Sequence, residues 1–354
     1  MTLADLGWDA DFSRHFEPHR AEGLCPGRVA LEHQHVYRVY LEDGEPLAHV
    51  SGRLRHRATG RQDYPAVGDW VAVAPGTDTR RATIHAVLSR RSRFSRKVAG
   101  SVTEEQVVAA NVDTVFLVSG LDDDFSPRRI ERYLVTAWEG GASPVVLLNK
   151  ADLCDDVGAC VAAARTVAAG APVLTLSCRT GEGLAALEPW VGPGRTVALL
   201  GSSGVGKSTL INRLLGRERQ RTREVRERDS RGRHTTSHRE LIVMPSGGLL
   251  IDTPGMRELQ LWEAGEALEG TFGDVVELAA GCHFRDCRHE TEPRCAVRAA
   301  VEAGALARGR LAGYLRLRRE LDHLARRQDE LAQAEQKRKE RAVHRRIRDL
   351  KPRE

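Results

Sequence analysis

Along most of the chain the apolar positions come in short runs, each closed by glycine or by a charged turn, a pattern of strands joined by tight connections. Between Gly27 and Arg96 the runs are Val29-Ala30-Leu31, His35-Val36-Tyr37-Arg38-Val39-Tyr40, Leu47-Ala48-His49-Val50 and Trp70-Val71-Ala72-Val73. Turns with Gly44, Gly60, Gly68 and Pro75-Gly76 separate them. About five short strands in about 70 residues predict an OB-type β-barrel, whose face and loops often bind RNA or single strands. Further on come Val145-Val146-Leu147-Leu148, Pro172 to Leu176, Thr196-Val197-Ala198-Leu199-Leu200 and Gly248-Leu249-Leu250-Ile251, while Ser208 to Leu215 reads as a helix. The pattern then changes: Leu321 to Arg348 looks helical and densely charged.

Chemistry sits at the ends of the second set of strands. Gly201-Ser202-Ser203-Gly204-Val205-Gly206-Lys207-Ser208 follows one of them and fits the phosphate-loop pattern. Glycines there let backbone N–H groups wrap a phosphate, Lys207 reaches the outer phosphates, and the Ser208 hydroxyl ligates magnesium, with Thr209 next along the helix. Asp252, in Asp252-Thr253-Pro254-Gly255, ends another strand. An acid there can hold magnesium through water, and Gly255 can offer its N–H to a terminal phosphate. The tetrapeptide by itself is also a common turn. Asn149-Lys150-Ala151-Asp152 caps a third strand. A carboxylate at Asp152 can accept from the ring N–H and the exocyclic amine of guanine, donors that adenine lacks at that edge. Taken alone it could equally be a strand-end turn capped by Asp. Ser177-Cys178 stands where GTPases place a loop that touches the guanine oxygen through backbone N–H.

The order of these pieces is unusual. In an ordinary P-loop GTPase the phosphate loop leads and the base-reading Asn-Lys-x-Asp trails; here the base-reading half comes first. That is a circular permutation, which keeps strand neighbours in space while moving the chain ends.

Between the phosphate loop and Asp252 lies the charged stretch from Arg217 to Glu240, containing Gly232-Arg233-His234-Thr235-Thr236. A stretch this polar cannot bury a core and is expected to be mobile without nucleotide. A GTPase needs a threonine here to complete magnesium coordination, and Thr236 is favoured over Thr235. Met256 follows Gly255 where Ras-like enzymes carry a water-orienting glutamine. A thioether cannot orient water, so the catalytic group has to come from elsewhere; His234 is the first choice and His238 the second. The alternative for His234 is a solvated loop histidine.

Cys282, Cys287, His289 and Cys295 crowd four soft ligands into one short segment. Three thiolates and an imidazole make a closed tetrahedral zinc site of the structural kind, one zinc per chain, and a disulfide pair matches these spacings poorly. The other cysteines, Cys25, Cys154, Cys160 and Cys178, are scattered.

The formal net charge is +5 over 354 residues, unevenly spread. Residues 337–354 carry nine Lys/Arg against three Asp/Glu and residues 25–97 carry thirteen against seven, whereas the first 24 carry two against five. A polyanion gripped by the basic flanks is the natural inference, the loop Arg53 to Arg61 and Arg90-Arg91-Ser92-Arg93 supplying phosphate contacts. For the tail, a solvated helix face is the alternative. No run is apolar enough to span a membrane, the N-terminus has no signal-peptide pattern, and the odd cysteine count points to a reducing cytosol.

With an OB-like front, permuted guanine-nucleotide motifs and a Cys-Cys-His-Cys module, the chain resembles the RsgA-type family of circularly permuted GTPases that depend on the bacterial small ribosomal subunit. The resemblance runs over residues 27–336 and includes Val67-Gly68-Asp69-Trp70-Val71. It implies an α/β P-loop GTPase with a mixed sheet, an N-terminal barrel and a mostly helical zinc module. The expected division is an extension over 1–24, the barrel over 25–97, the GTPase domain over 98–264 and the zinc domain with its basic helix over 265–354. It also implies a monomeric cytoplasmic enzyme that binds the immature 30S subunit and its 16S rRNA near the decoding region, hydrolyses GTP with magnesium faster there, and leaves when maturation is complete. The family's proposed catalytic histidine falls on His234. Cys178 stands where the family usually has Ala, and Gly204 stands where potassium-activated GTPases carry Asn, which argues against a potassium requirement. Competing classes are a P-loop ATPase or kinase, against which Asp152 speaks, and a zinc-containing RNA-binding protein using GTP only as a conformational switch.

Overall fold

The computed structural model describes residues 1–76, 80–97, 105–217, 239–252 and 265–350. The chain divides into two compact units. The first holds every described element as far as Asp252, the second those from Gly265 onward.

In the first unit, β1 (Cys25–His33), β2 (Val36–Tyr40), β3 (Leu47–Val50), β4 (Trp70–Pro75) and β5 (Arg81–Val87) pair in the order β1-β2-β3-β5-β4, and β4 returns to β1. This closes a five-stranded barrel of OB type. β3 and β5 are its parallel pair. The four strands expected from the sequence are present, and β5 is the addition. Val29, Val39, Val71, Val73 and Ile84 are fully buried inside. The expected loop over Arg53 to Arg61 is in part a short helix, α2 (Gly52–Arg57), capped by the Ser51 hydroxyl.

Beside the barrel lie β8 (Thr114–Gly120), β9 (Ser143–Asn149), β10 (Val173–Thr175), β11 (Thr196–Leu200), β12 (Arg239–Val243) and β13 (Leu249–Asp252), ordered β10-β9-β8-β11-β13-β12. All are parallel except β12. Successive residues of β8 serve opposite faces: Val115 and Leu117 join one core cluster, Phe116 and Val118 another. Cover on both faces explains why these strands are apolar without alternation. On one face pack α3 (Pro127–Glu139), through Ile130 and Leu134, and α4 (Val157–Val167); on the other packs α5 (Lys207–Leu215), through Leu210 and Ile211. The sheet does not stop at β12, because β12 also pairs with barrel strand β1, giving eleven continuous strands. A separate pair is formed by β6 (Arg93–Lys97) and β7 (Glu105–Ala110).

The first 24 residues are part of this unit. Asp9 caps α1 (Ala10–Arg20), whose Phe12 and Phe16 are buried. With Trp8 they surround Trp70, the Trp8 and Trp70 rings meeting edge-on at 4.7 Å. Arg91 lies 4.0 Å over the Phe12 ring and pairs with Asp9 and Asp11; it holds the Asp9 carboxyl down to about 2. The expectation that Arg90 and Arg91 supply phosphate contacts therefore needs correction. Arg90 is spent on the buried Asp69 carboxylate, at 2.7 and 2.8 Å, and on the carbonyls of Gln62 and Tyr64.

Arg28 ties the unit together. It is fully buried, and it donates to the carbonyls of Leu6, Gly68 and Asn111 and to the Thr196 hydroxyl, so extension, barrel and sheet share one guanidinium. Burial lowers its pKa to about 10, with Asp113 and Asp69 opposing, which leaves it charged at neutral pH. Arg28→Met keeps the bulk but orphans four acceptors, and should cost about 3–5 kcal/mol. The urea midpoint of the full chain measures this; a shift worth less than about 1 kcal/mol would contradict it. Gly68 explains itself beside it: φ is +91°, and a Cβ would stand 2.1 Å from the Ala110 carbonyl oxygen.

The second unit is helical: α6 (Gly265–Thr271), α7 (Gly273–Ala279), α8 (Ala296–Glu302) and α9 (Arg308–Leu350). Leu268, Phe272, Val275, Val297, Leu311, Tyr314 and Leu317 are buried in it. Arg310 fixes the start of α9 by donating two hydrogen bonds to the Asp274 carboxylate, 2.9 Å each, and a third to the Thr271 carbonyl.

Candidate functional site

In a parallel sheet the carboxyl ends of the strands open toward one edge, where ligands bind. Asn149 ends β9, Gly201 follows β11, Asp252 ends β13 and Ser177 follows shortly after β10, so one edge collects four motifs scattered along the chain.

Asn149 is the keystone. It is buried, its Nδ2 donates to the Val205 carbonyl at 2.7 Å, and its Oδ1 accepts the Cys178 N–H at 2.9 Å. One side chain thus joins the base-reading turn, the phosphate loop and the Ser177-Cys178 loop. Gly206 lets this happen: its φ is +99°, and a Cβ there would come within 2.1 Å of Asn149 Nδ2. Gly206 also opens α5, so the helix N-terminus and the loop amides around Gly201 to Ser208 form an anion cradle. Lys207 folds over this loop and bonds the Gly201 carbonyl at 2.6 Å and the Ser202 carbonyl. Ser208 and Thr209 are half-buried in the first turn of α5, and Ser203 and Gly204 are exposed at the mouth.

Lys150 takes the left-handed conformation, φ 69°, and pairs with Asp122 beyond the end of β8. Asp152 lies in the 3-10 turn that follows. Its Oδ1 accepts from the Ser177 hydroxyl at 2.5 Å, and its Oδ2 is ion-paired with the Arg179 guanidinium, Nη2 standing 2.5 Å away. The Ser177 hydroxyl first, and the Arg179 guanidinium with it, keep the carboxyl below the usual carboxylate range, so Asp152 is an anion. Arg179 is largely exposed and is the partner that an incoming base would displace. Burial pushes the Cys178 thiol up to about 12, which makes its side chain inert and leaves its backbone N–H as the useful group.

Two arginines at this edge escaped sequence reasoning. Arg213 of α5 donates to the carbonyls of Cys178, at 2.9 Å, and Arg179, at 2.7 Å, which fixes the Ser177-Cys178 loop to the phosphate-loop helix. Arg129 of α3 donates to the Ser202 hydroxyl at 2.7 Å and pairs with Asp124. Neither lies in a motif, and neither contact joins neighbours in sequence. Thr253, Gly255, Met256, His234, Thr235, Thr236 and His238 lie outside the described residues.

In the second unit Cys282, Cys287, His289 and Cys295 bring their ligand atoms within 4.8 Å of one another. Cys282 and Cys295 sulfurs are 3.8 Å apart, and His289 Nδ1 lies 3.5 and 3.4 Å from them. Tetrahedral zinc with bonds of about 2.3 Å to sulfur and about 2.0 Å to nitrogen has edges of roughly 3.8 and 3.5 Å, so the cluster fits that ion. His289 and Arg294 adopt left-handed conformations that curl the segment round the centre. Burial keeps His289 neutral and pushes the Cys287 thiol up to about 11, a charge problem that a bound cation removes. Burial opposes a thiolate at Cys282 too, yet the N–H groups of Val297 and Ala296 bring it below its ordinary value.

Fold and site together define a circularly permuted P-loop GTPase carrying a barrel and a Cys3His module. Residues 87–262 match the model of the RsgA GTPase family. A small ribosomal subunit biogenesis GTPase RsgA of Opitutus terrae is 53% identical over 348 residues, covering 96% of this chain and 95% of its own. One of Syntrophotalea carbinolica is 43% identical over 354 residues, covering 98% and 96%. Among solved structures, YjeQ from Thermotoga maritima superposes with a TM-score of 0.64 at 28% identity, covering 84% of this chain and 98% of that one. YloQ, a circularly permuted GTPase, gives 0.62 at 27%, covering 85% and 96%. The chain belongs to the RsgA GTPase family, and it is a GTP hydrolase.

Proposed function

We propose that this GTPase acts on the small (30S) ribosomal subunit late in its maturation, hydrolyses GTP faster when docked there, and uses hydrolysis to leave. The observation that carries the GTP part is the joining of the phosphate loop, the base-reading turn and the Cys178 loop by Asn149, with the Asp152 carboxylate held at the same edge by Ser177. The subunit part rests on the relatives' names and on the basic barrel and tail, which suit 16S rRNA as the polyanion. No helix among the described residues is long and apolar enough to cross a membrane. The protein works as a cytoplasmic monomer built from an extension (1–24), a barrel (25–97), a GTPase domain (98–264) and a zinc domain with its basic helix (265–354).

The reading gives each residue a task. Asn149, Lys150 and Asp152 with the Ser177-Cys178 loop take the base. The loop Gly201-Ser202-Ser203-Gly204-Val205-Gly206 and Lys207 take the phosphates, and Ser208, Thr236 and Asp252 organise magnesium. Gly255 donates to the terminal phosphate, and His234 addresses the attacking water. A switch that never hydrolysed would not need His234, and the GTPase family membership speaks against that alternative.

His234→Ala should therefore remove most of the subunit-stimulated turnover, by about 100-fold or more, while GTP and subunit affinities stay near those of the parent. Single-turnover hydrolysis on purified subunits measures it. Full stimulated turnover in the variant would move the catalytic group to His238 or to the ribosome.

A further inference from the structure

Strand β12 has an unusual position. It begins at Arg239, directly after the segment that carries His234 and Thr236 in the sequence, and it is bonded on both edges. On one side Glu240 stands opposite Asp252, the acid at the end of β13. On the other side the same Glu240 stands opposite Leu31 of barrel strand β1. One residue therefore separates the nucleotide edge of the sheet from the barrel wall. Side chains reinforce the joint: Glu240 pairs with Arg38 of β2 at 3.6 Å, and the Tyr40 hydroxyl donates to the Leu241 carbonyl at 3.2 Å. Among the described residues the backbone ladder pairs Leu31 with Glu240 and Glu32 with Arg239. A joint backed by a partly exposed ion pair can tighten or loosen without unfolding either partner.

We propose that the β1–β12 joint is the transmission between nucleotide and barrel: the state of the nucleotide sets how tightly β12 holds β1, and Arg38, Tyr40 and Glu240 are the positioning residues that carry the coupling. A strand hydrogen-bonded on both edges cannot shift against β13 without changing its pairing to β1. Coupling of this kind is reciprocal, so whatever the barrel grips favours one nucleotide state to the same extent that the nucleotide favours the grip. The role of the small subunit as that ligand rests on the function proposed above; the coupling itself does not.

Hydrogen exchange on the full-length zinc-loaded protein tests it without ribosomes. Amides of residues 29–33 should exchange about fivefold more slowly with a non-hydrolysable GTP analogue than with GDP, or the reverse, the lower end of ordinary allosteric couplings. Arg38→Glu and Glu240→Arg should each erase the difference, and the double reversal should restore it, while nucleotide affinity stays unchanged. Tyr40→Phe removes a single hydrogen bond and should shrink the difference even if a charge reversal misfolds. Exchange in β1 that is indifferent to the nucleotide in the parent protein would overturn the proposal, as would a difference that survives all three variants. Absence of subunit binding in every nucleotide state would instead sink the proposed function and leave the joint intact.

Discussion

Asp152→Asn should turn a guanine site into a xanthine site. The Asp152 carboxylate is already oriented by the Ser177 hydroxyl, and its Oδ2 is held by the largely exposed Arg179 guanidinium, which a base can displace. Guanine brings two donors to that anion, each worth about 1.5–3 kcal/mol as a charged hydrogen bond. An amide keeps the shape but presents N–H groups where the base also presents N–H. GTP affinity should fall by about 100-fold or more, and xanthosine triphosphate, whose base carries an acceptor in place of the amine, should gain. Competition titrations with the two nucleotides measure both changes. Equal GTP affinity in the variant would remove Asp152 from base reading.

Removing the metal should have the largest effect on folding. Cys282, Cys287, His289 and Cys295 draw together the segment between α7 and α8, and Cys295 also caps α8 through its sulfur. Structural zinc in comparable small modules contributes an apparent 10–16 kcal/mol, more than a unit of this size can replace by packing. Cys287→Ser or prolonged chelation should therefore unfold the second unit, while GTP binding by the first unit persists. One zinc per chain by metal analysis under reducing conditions, and protease sensitivity confined to the residues after 264 once it is lost, are the expected readings. Zinc-free protein with an unchanged second unit would refute the assignment.

What could be read from the sequence was local. Phosphate loop, base-reading turn and cysteine cluster each occupy a few consecutive or closely spaced residues, and the first two sit at the ends of apolar runs that betray their strands. Their reversed order also revealed the permutation. Long-range contacts were hidden. Nothing beside Arg28 in the sequence signals that a guanidinium flanked by Gly27 and Val29 is fully buried among four acceptors, the furthest of them at Thr196. The acidic start of the chain looked like an appendage, because the partner that ties Asp9 and Asp11 to the rest of the fold is Arg91, far along the chain. Phe12 and Phe16, one helical turn apart, were the available clue to a buried face. Strand β5 went unnoticed since Arg81 and His85 face solvent and only Ala82 and Ile84 among its residues are fully buried. The second role of Asn149, holding three loops, depends on partners at positions 178 and 205 that only the folded sheet brings near.

The most direct test of the function is GTP hydrolysis by the purified full-length protein, with and without purified small ribosomal subunits, with ATP as the control nucleotide. The expected result is slow turnover of GTP by the protein alone, acceleration by small subunits of about tenfold or more, and no hydrolysis of ATP in either case. Turnover of GTP that is unaffected by small subunits, or ATP consumed as readily as GTP, would contradict it.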